Sequence, residues 1–146
     1  MYGRPVADAI ERKVQADVEA LKKKHHVTPR LDVVLVGKSA ASQRYVQKKL
    51  EACERLGMQA KLHTFDDHVS GSELRDHVAR LSDDDQVHGI LVQLPLPRHI
   101  EEPGTREAID KSHIFDAIKA EKDVDGISRY SIAELYRAQQ NHLVFL

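Results

Sequence analysis

Residues 87–97, "VHGILVQLPLP", decide how this chain is read. The first six are a continuous apolar run with one histidine, the pattern of a strand buried on both faces. Gln93 then places an uncharged hydrogen-bonding side chain where that strand ends. Pro95 and Pro97 follow in alternation with leucine. Each proline fixes its own φ and biases the residue before it toward extended geometry, so the backbone around Gln93 is expected to be stiff. A stiff carboxyl end of a buried strand is where an α/β protein places a site residue. On the residues alone, a glutamine that merely ends the strand is an equal reading.

Working outward, the rest of the chain alternates helix and strand. Ala7, Ile10, Val14, Val18 and Leu21 recur at three and four residues, one apolar face of a helix. "KKKHH" at 22–26 suits its C-terminal end, and Pro29 ends it. "LDVVLVG" at 31–37 reads as a strand. From Ser42 to Leu56 the helical period returns, with Val46, Leu50, Cys53 and Leu56 inward and Gly57 as C-cap. "MQAKLHTF" at 58–65 is a weaker strand, and "SGSE" at 70–73 has capping-box spacing before Leu74, Val78 and Leu81. This order predicts an α/β fold, a three-layer α/β/α domain with a mainly parallel sheet. Later segments are less regular. "PRHIEEPGTR" at 97–106 reads as loop, 107–118 contain a helix, 121–126 read as a turn, and 131–140 as a short helix capped by Ser131. The apolar ending "NHLVFL" suggests that the chain continues beyond residue 146.

Composition narrows the function. The chain has 146 residues, 41% hydrophobic and 31% charged, the size and make-up of one soluble globular domain. Twenty-two basic against 23 acidic residues give a net charge of −1, which argues against nucleic acid as a partner. No run approaches the roughly 18 apolar residues of a membrane span, and the start carries no signal-peptide pattern. Cys53 is the single cysteine, so an internal disulfide is impossible and a reducing compartment fits. It lies on the apolar stripe of its helix and reads as a core residue. The nine histidines are scattered without metal-ligand spacing, so no metal is expected.

Two further stretches carry candidate chemistry. In "SQRYVQKK" at 42–49, Tyr45 and Lys49 are four apart and share a helix face, with Ser42 near the helix start. An amine at the carboxyl edge of a parallel sheet, partly desolvated, can be tuned for proton transfer. A solvated helix face has the same spacing, and is the commoner case. In "KDVDG" at 122–126, Asp123 and Asp125 share one side if the segment is extended. The EF-hand spacing is absent, so a turn is the simpler reading. A single exposed carboxylate there could accept hydrogen bonds from a ring N–H and an exocyclic amine of a heterocycle. No G-x-G-x-x-G or P-loop occurs, so the chain has no dinucleotide cradle of its own.

Taken together, "VLVGKSAASQRYVQKKLEACERLGM" (34–58), "GILVQLPLP" (89–97) and "EKDVDG" (121–126) resemble the bifunctional methylenetetrahydrofolate dehydrogenase/cyclohydrolase family. The family's motifs have the forms ILVG-x-x-x-AS-x-x-YV-x-x-K, G-I-L-V-Q-L-P-L-P and K-D-V-D-G, in this order. The opening "GRPVADAIERKVQADVEAL" is similar to the family's first helix, so the resemblance runs nearly end to end. It implies one catalytic domain over residues 1–146, with the family's following Rossmann domain absent. It implies oxidation of 5,10-methylene-tetrahydrofolate to the methenyl form, with NADP or NAD bound outside this chain, then hydrolysis to 10-formyl-tetrahydrofolate. By the same resemblance Lys49 is the catalytic amine, Tyr45 stacks or hydrogen-bonds near the pterin, and Gln93 holds the lysine. Asp125 binds the pterin ring, and Ser42 supports the pocket edge. Folate is then the partner, the full-length family admits a homodimer, and the compartment is cytoplasmic or mitochondrial. Segment 98–121 is longer than the family's, which leaves the placement of Asp125 open. The rival readings are a non-catalytic folate-binding or pairing remnant, and an unrelated α/β module in which Tyr45, Lys49, Gln93 and Asp125 do not converge.

Overall fold

The computed structural model describes residues 3–101 and 111–143. In chain order the elements are α1 (Gly3–His25), β1 (Arg30–Val36), α2 (Ala40–Arg55), β2 (Gln59–Phe65), α3 (Gly71–Asp83) and β3 (Gly89–Val92). Short helices α4 (Arg98–Glu101) and α5 (Lys111–Phe115), a 3-10 turn (Ala120–Lys122) and α6 (Arg129–Leu143) follow. The three strands are parallel, in the order β2-β1-β3. Parallel pairing needs a crossover between strands, and α2 and α3 supply them.

The sheet is covered on both faces because side chains alternate along each strand. Val33, Leu35 and Leu91 pack with Val46 of α2. Val34, Val36, Ile90 and Val92 point the other way, against Leu74, Val78 and Leu81 of α3 and Ile114, Phe115 and Ile118 around α5. The α/β class with a parallel sheet is therefore as the sequence implies. Since α2 and α3 lie on opposite faces and β1 is central, the strand order reverses between β1 and β3. In open α/β sheets that reversal opens a crevice at the carboxyl edge.

Local signals account for most boundaries. Ser39 caps α2, its hydroxyl accepting from the Ser42 N–H, so the helix starts two residues before Ser42. It ends in a Schellman motif: Gly57 has φ +77, its N–H reaches Glu54 O, and Met58 N–H reaches Cys53 O at 2.8 Å. Ser70 caps α3 by accepting from the Glu73 N–H at 3.1 Å. Cys53 is buried, and burial pushes its thiol pKa up.

Three expectations are corrected. The apolar stripe of α1 is not a buried face: Val18 is buried, but Ile10 and Leu21 are exposed. The stretch read as loop after Pro97 contains α4; residues 102–106 lie outside the described residues. Finally, α6 begins at Arg129, so Ser131 lies within its first turn and does not cap it; of the apolar ending, 144–146 lie outside the described residues.

One polar network penetrates the α3 face. Asp32, fully buried on β1, accepts two hydrogen bonds from Arg30 at 2.6 and 2.7 Å. Its Oδ2 also lies 2.7 Å from His63 Nε2 on β2, and His63 Nδ1 lies 3.1 Å from His77 Nε2 on α3. A buried carboxylate persists because these partners replace its water. Burial raises the Asp32 pKa, but the hydrogen bonds and charges of Arg30 and His63 outweigh it and hold the group below the usual carboxylate range. Burial, followed by the charges of His63 and Arg80, holds His77 below the ordinary imidazole value, against the opposing pull of Asp32.

Both depressed values act in one direction. A histidine that stays neutral when folded costs stability as pH falls through its unfolded pKa, about 6.5. A depressed carboxylate keeps its contribution until pH falls below about 3.9. Urea midpoints are therefore expected to fall between pH 7.5 and 5 and again below pH 4, with His77→Gln flattening the first limb alone. Asp32→Ala, which strands Arg30 and His63, is expected to cost about 3 kcal/mol in the same titration at pH 7.5.

Candidate functional site

The carboxyl edge at the β1–β3 reversal is built from backbone first. β3 ends at Val92, yet the ladder continues one step: the Gln93 N–H donates to Val34 O at 2.8 Å. Beyond it, Leu96 and Ile100 are buried in the α3-side core, and His99 Nε2 lies 2.9 Å from Val69 O. The Leu94–Pro95 peptide is cis. Gln93 is thus held by the strand on one side and by a packed loop on the other.

Its amide is held as well. Gln93 Nε2 donates to Leu94 O at 2.7 Å, which turns Oε1 toward α2. There Lys49 Nζ donates to it at 3.2 Å, across 44 residues of sequence. Lys49 sits two turns into a helix whose start is fixed by Ser39 and whose inner face is anchored by Val46. The amine and the amide are both half-buried. An ammonium so placed has one N–H engaged by Gln93 and two further donors.

The other residues singled out from sequence stand in three different settings. Tyr45, one turn before Lys49 on α2, is 61% exposed and borders a surface depression of about 300 Å³ with Ala41, Arg44 and Lys48. Ser42 is buried at the start of the same helix. Asp125 is exposed, and among the described residues it makes no hydrogen bond or ion pair. Lys49 and Gln93 are brought into contact; Tyr45 shares their helix; Asp125 is on a separate turn beside β3. A surface hollow of about 590 Å³ lies along the second half of α2, near Glu54 and Met58, and contains none of these residues.

Sequence reasoning missed the residue that organises the Asp125 turn. Asp123 accepts from the backbone N–H groups of Gly126, Ile127 and Ser128, and from the Ser131 hydroxyl at 2.7 Å. Burial raises its pKa, but the Ser131 and Ser128 hydrogen bonds prevail and hold it below the usual range. The available signal was an aspartate followed at three to eight residues by Gly, Ser and Ser, the habit of a side chain that satisfies a helix start. Among the described residues, no group of three histidine, cysteine or acidic side chains is arranged to hold a metal ion, and no helix is long and apolar enough to cross a membrane.

Comparison with known proteins gives one consistent answer. Residues 1–125 match the family described as tetrahydrofolate dehydrogenase/cyclohydrolase, catalytic domain. The bifunctional protein FolD of Magnetococcus marinus is 42% identical over 133 residues, covering 91% of this chain and 44% of that protein. FolD of Staphylococcus haemolyticus is 39% identical, covering 94% and 45%. Among solved structures, the FolD methylenetetrahydrofolate dehydrogenase/cyclohydrolase of Campylobacter jejuni superposes with a TM-score of 0.81 at 35% identity, over 91% of this chain and 44% of that one. The Trypanosoma brucei enzyme, solved with NADP and an inhibitor, gives 0.75 at 33% identity, over 86% and 40%. The chain thus spans less than half the length of these relatives.

The geometry separates site from scaffold. Gln93→Leu removes an amide whose hydrogen bonds among the described residues go to Lys49 and the Leu94 carbonyl, so its thermal midpoint is expected to stay within the equivalent of about 1 kcal/mol. The freed Lys49 is expected to be acylated several-fold faster by an amine-reactive ester, read by peptide mass spectrometry; an unchanged rate would mean that the contact does not restrain the amine.

Proposed function

Because the chain belongs to the tetrahydrofolate dehydrogenase/cyclohydrolase catalytic-domain family, we propose that it supplies the folate site and the reactive amine of such an enzyme. The reading takes residues 1–146 as one catalytic domain in a reducing, cytoplasmic setting. What supports it most directly is the Lys49–Gln93 contact, at the edge where a parallel sheet places its ligands.

The hydrolytic step fits this pair. Methenyl-tetrahydrofolate is a cation whose charge is spread over N5, the bridging carbon and N10. Water adds to that carbon and loses a proton, which leaves a neutral adduct. Protonation of N5, rupture of its bond to the carbon and loss of the adduct's hydroxyl proton to solvent then release neutral 10-formyl-tetrahydrofolate, with one proton set free overall. Lys49 is positioned to take the first proton and return one to N5, the two-way role of a general acid–base. Gln93 aims the amine through Oε1 without adding a charge. Tyr45 offers an exposed ring for the pterin, Asp125 a free carboxylate for its N–H groups, and Ser42 a buried support at the start of α2.

Nicotinamide dinucleotide, the oxidant of the family's other step, does not fit the described residues. The β1–α2 turn, where a dinucleotide fold exposes glycine N–H groups to a pyrophosphate, has Gly37 covered by Asp67. A methyl group on Gly37 would lie 2.0 Å from that carboxylate. The Gly37 N–H is also spent on Phe65 O. A pyrophosphate would meet negative charge there.

The test is the decay of methenyl-tetrahydrofolate absorbance with the purified chain beside its Lys49→Met variant. Acceleration by the chain, reduced at least about a hundredfold in the variant, is expected from loss of a general acid–base. No acceleration while reduced folate still binds would replace this reading with a non-catalytic folate-binding domain.

A further inference from the structure

The segment "KDVDG" has five residues, and four of them are committed to structure. Lys122 Nζ donates to Ser82 O and Asp84 O, both at 2.8 Å, and so ties the segment to the end of α3. Asp123 forms a parallel bridge with Ile90 of β3 through its backbone, while its carboxylate gathers three N–H groups and the Ser131 hydroxyl. Val124 lies over Gly89: a methyl group on Gly89 would come within 2.7 Å of Val124 Cγ1. Gly126 turns the chain with φ +65. Only the Asp125 side chain is left over.

The direction of the bridge gives this arrangement its meaning. It is parallel, so the chain leaves Asp123 travelling as β3 does, toward the edge where Gln93 stands. The turn that follows leaves Asp125 exposed beside β3, and its use at the Lys49–Gln93 edge is part of the proposal. An exposed carboxylate on a free loop would lose conformational entropy on binding; one on a turn tied to α3, β3 and α6 has lost most of it already.

We propose that Asp123 is a positioning residue: its carboxylate locks the 124–128 turn and so presents Asp125 to a ligand with paired N–H donors at the crevice. Lys122 and the bare face of Gly89 complete the mount. This rests on the folate reading for the identity of the ligand, but not for the order of the turn.

Two measurements on the purified chain separate these claims. Amide hydrogen exchange at Gly126, Ile127 and Ser128 is expected to speed up in Asp123→Asn and Asp123→Ala and to stay slow in Asp125→Asn. Unchanged protection in Asp123→Ala overturns the proposal whether or not folate binds. Affinity for 5-formyl-tetrahydrofolate, a stable reduced folate, is expected to fall about tenfold or more in Asp123→Asn and in Asp125→Asn, as loss of charge-assisted hydrogen bonds does. The double variant should be little worse than either single one, since both remove the same contact. In methenyl hydrolysis, KM should rise in Asp123→Asn more than kcat falls. Gly89→Ala, which pushes on Val124 from the strand side and leaves Asp123 intact, should weaken affinity in the same direction. Additive losses in the double variant, or full affinity in an Asp123 variant whose amides exchange fast, would show a structural cap without a positioning role. No affinity in the unsubstituted chain would overturn the folate reading, and the exchange data would still decide the fate of the mount.

Discussion

The hydrogen bond from Gln93 N–H to Val34 O is the constraint on which the site depends. It extends the β1–β3 ladder one residue past the last strand residue, so the Gln93 side chain inherits the rigidity of the sheet. β1 is the central strand, buried between α2 and α3, and its register with β3 places Val34 opposite Val92. A loop residue would have the freedom of its loop. A residue hydrogen-bonded into the ladder has the freedom of the core, and the lysine that reaches it is referred to the same frame through Val46.

The α3 side of the sheet is more costly. Asp32 stands in a strand otherwise fit for full burial, and a carboxylate there persists only with its full set of partners. Those come from two strands, Arg30 from β1 and His63 from β2, and His63 is held in turn by His77 from α3. The network fixes how β2 and α3 sit against β1, with Phe65 packing edge-on against the His77 ring. It lies away from the crevice, so its titration acts on stability.

What could be read from the sequence follows the range of the interaction. Strands with continuous apolar runs, the Gly57 cap and the Ser70 cap were legible because each is decided by neighbours within a few residues. The Gln93 stretch was legible in part: the prolines announce stiffness, but the ladder bond to Val34 spans 59 residues. The Asp32–His63–His77 chain was invisible, although an aspartate inside "LDVVLVG" was a warning that a buried charge needed partners. The stripe of α1 misled for the opposite reason. Periodicity shows that a helix has an apolar face, not that something covers it; in this structure Val18 packs near Gly57 while Ile10 stays in the open. "KDVDG" was read as two similar carboxylates, but one gathers N–H groups and the other is free, a difference set by the bridge to Ile90.

The choice of an amide beside Lys49 follows from the charge of the proposed substrate. A carboxylate at that place would also hold the lysine, and more tightly. At about 4 Å and an effective dielectric of 20, its attraction for an ammonium is about 4 kcal/mol. That attraction favours the protonated amine, which cannot take a proton from water, and the anion would compete with the amine for the cationic folate. The Gln93 oxygen supplies direction with little of that bias, and the Leu94 carbonyl decides which end of the amide faces the lysine. On the proposed reading, the negative charge offered to the pterin sits instead on Asp125, on a separate turn. Keeping the group that would aim the amine apart from the group that would grip the ring would let each act without disturbing the other's charge.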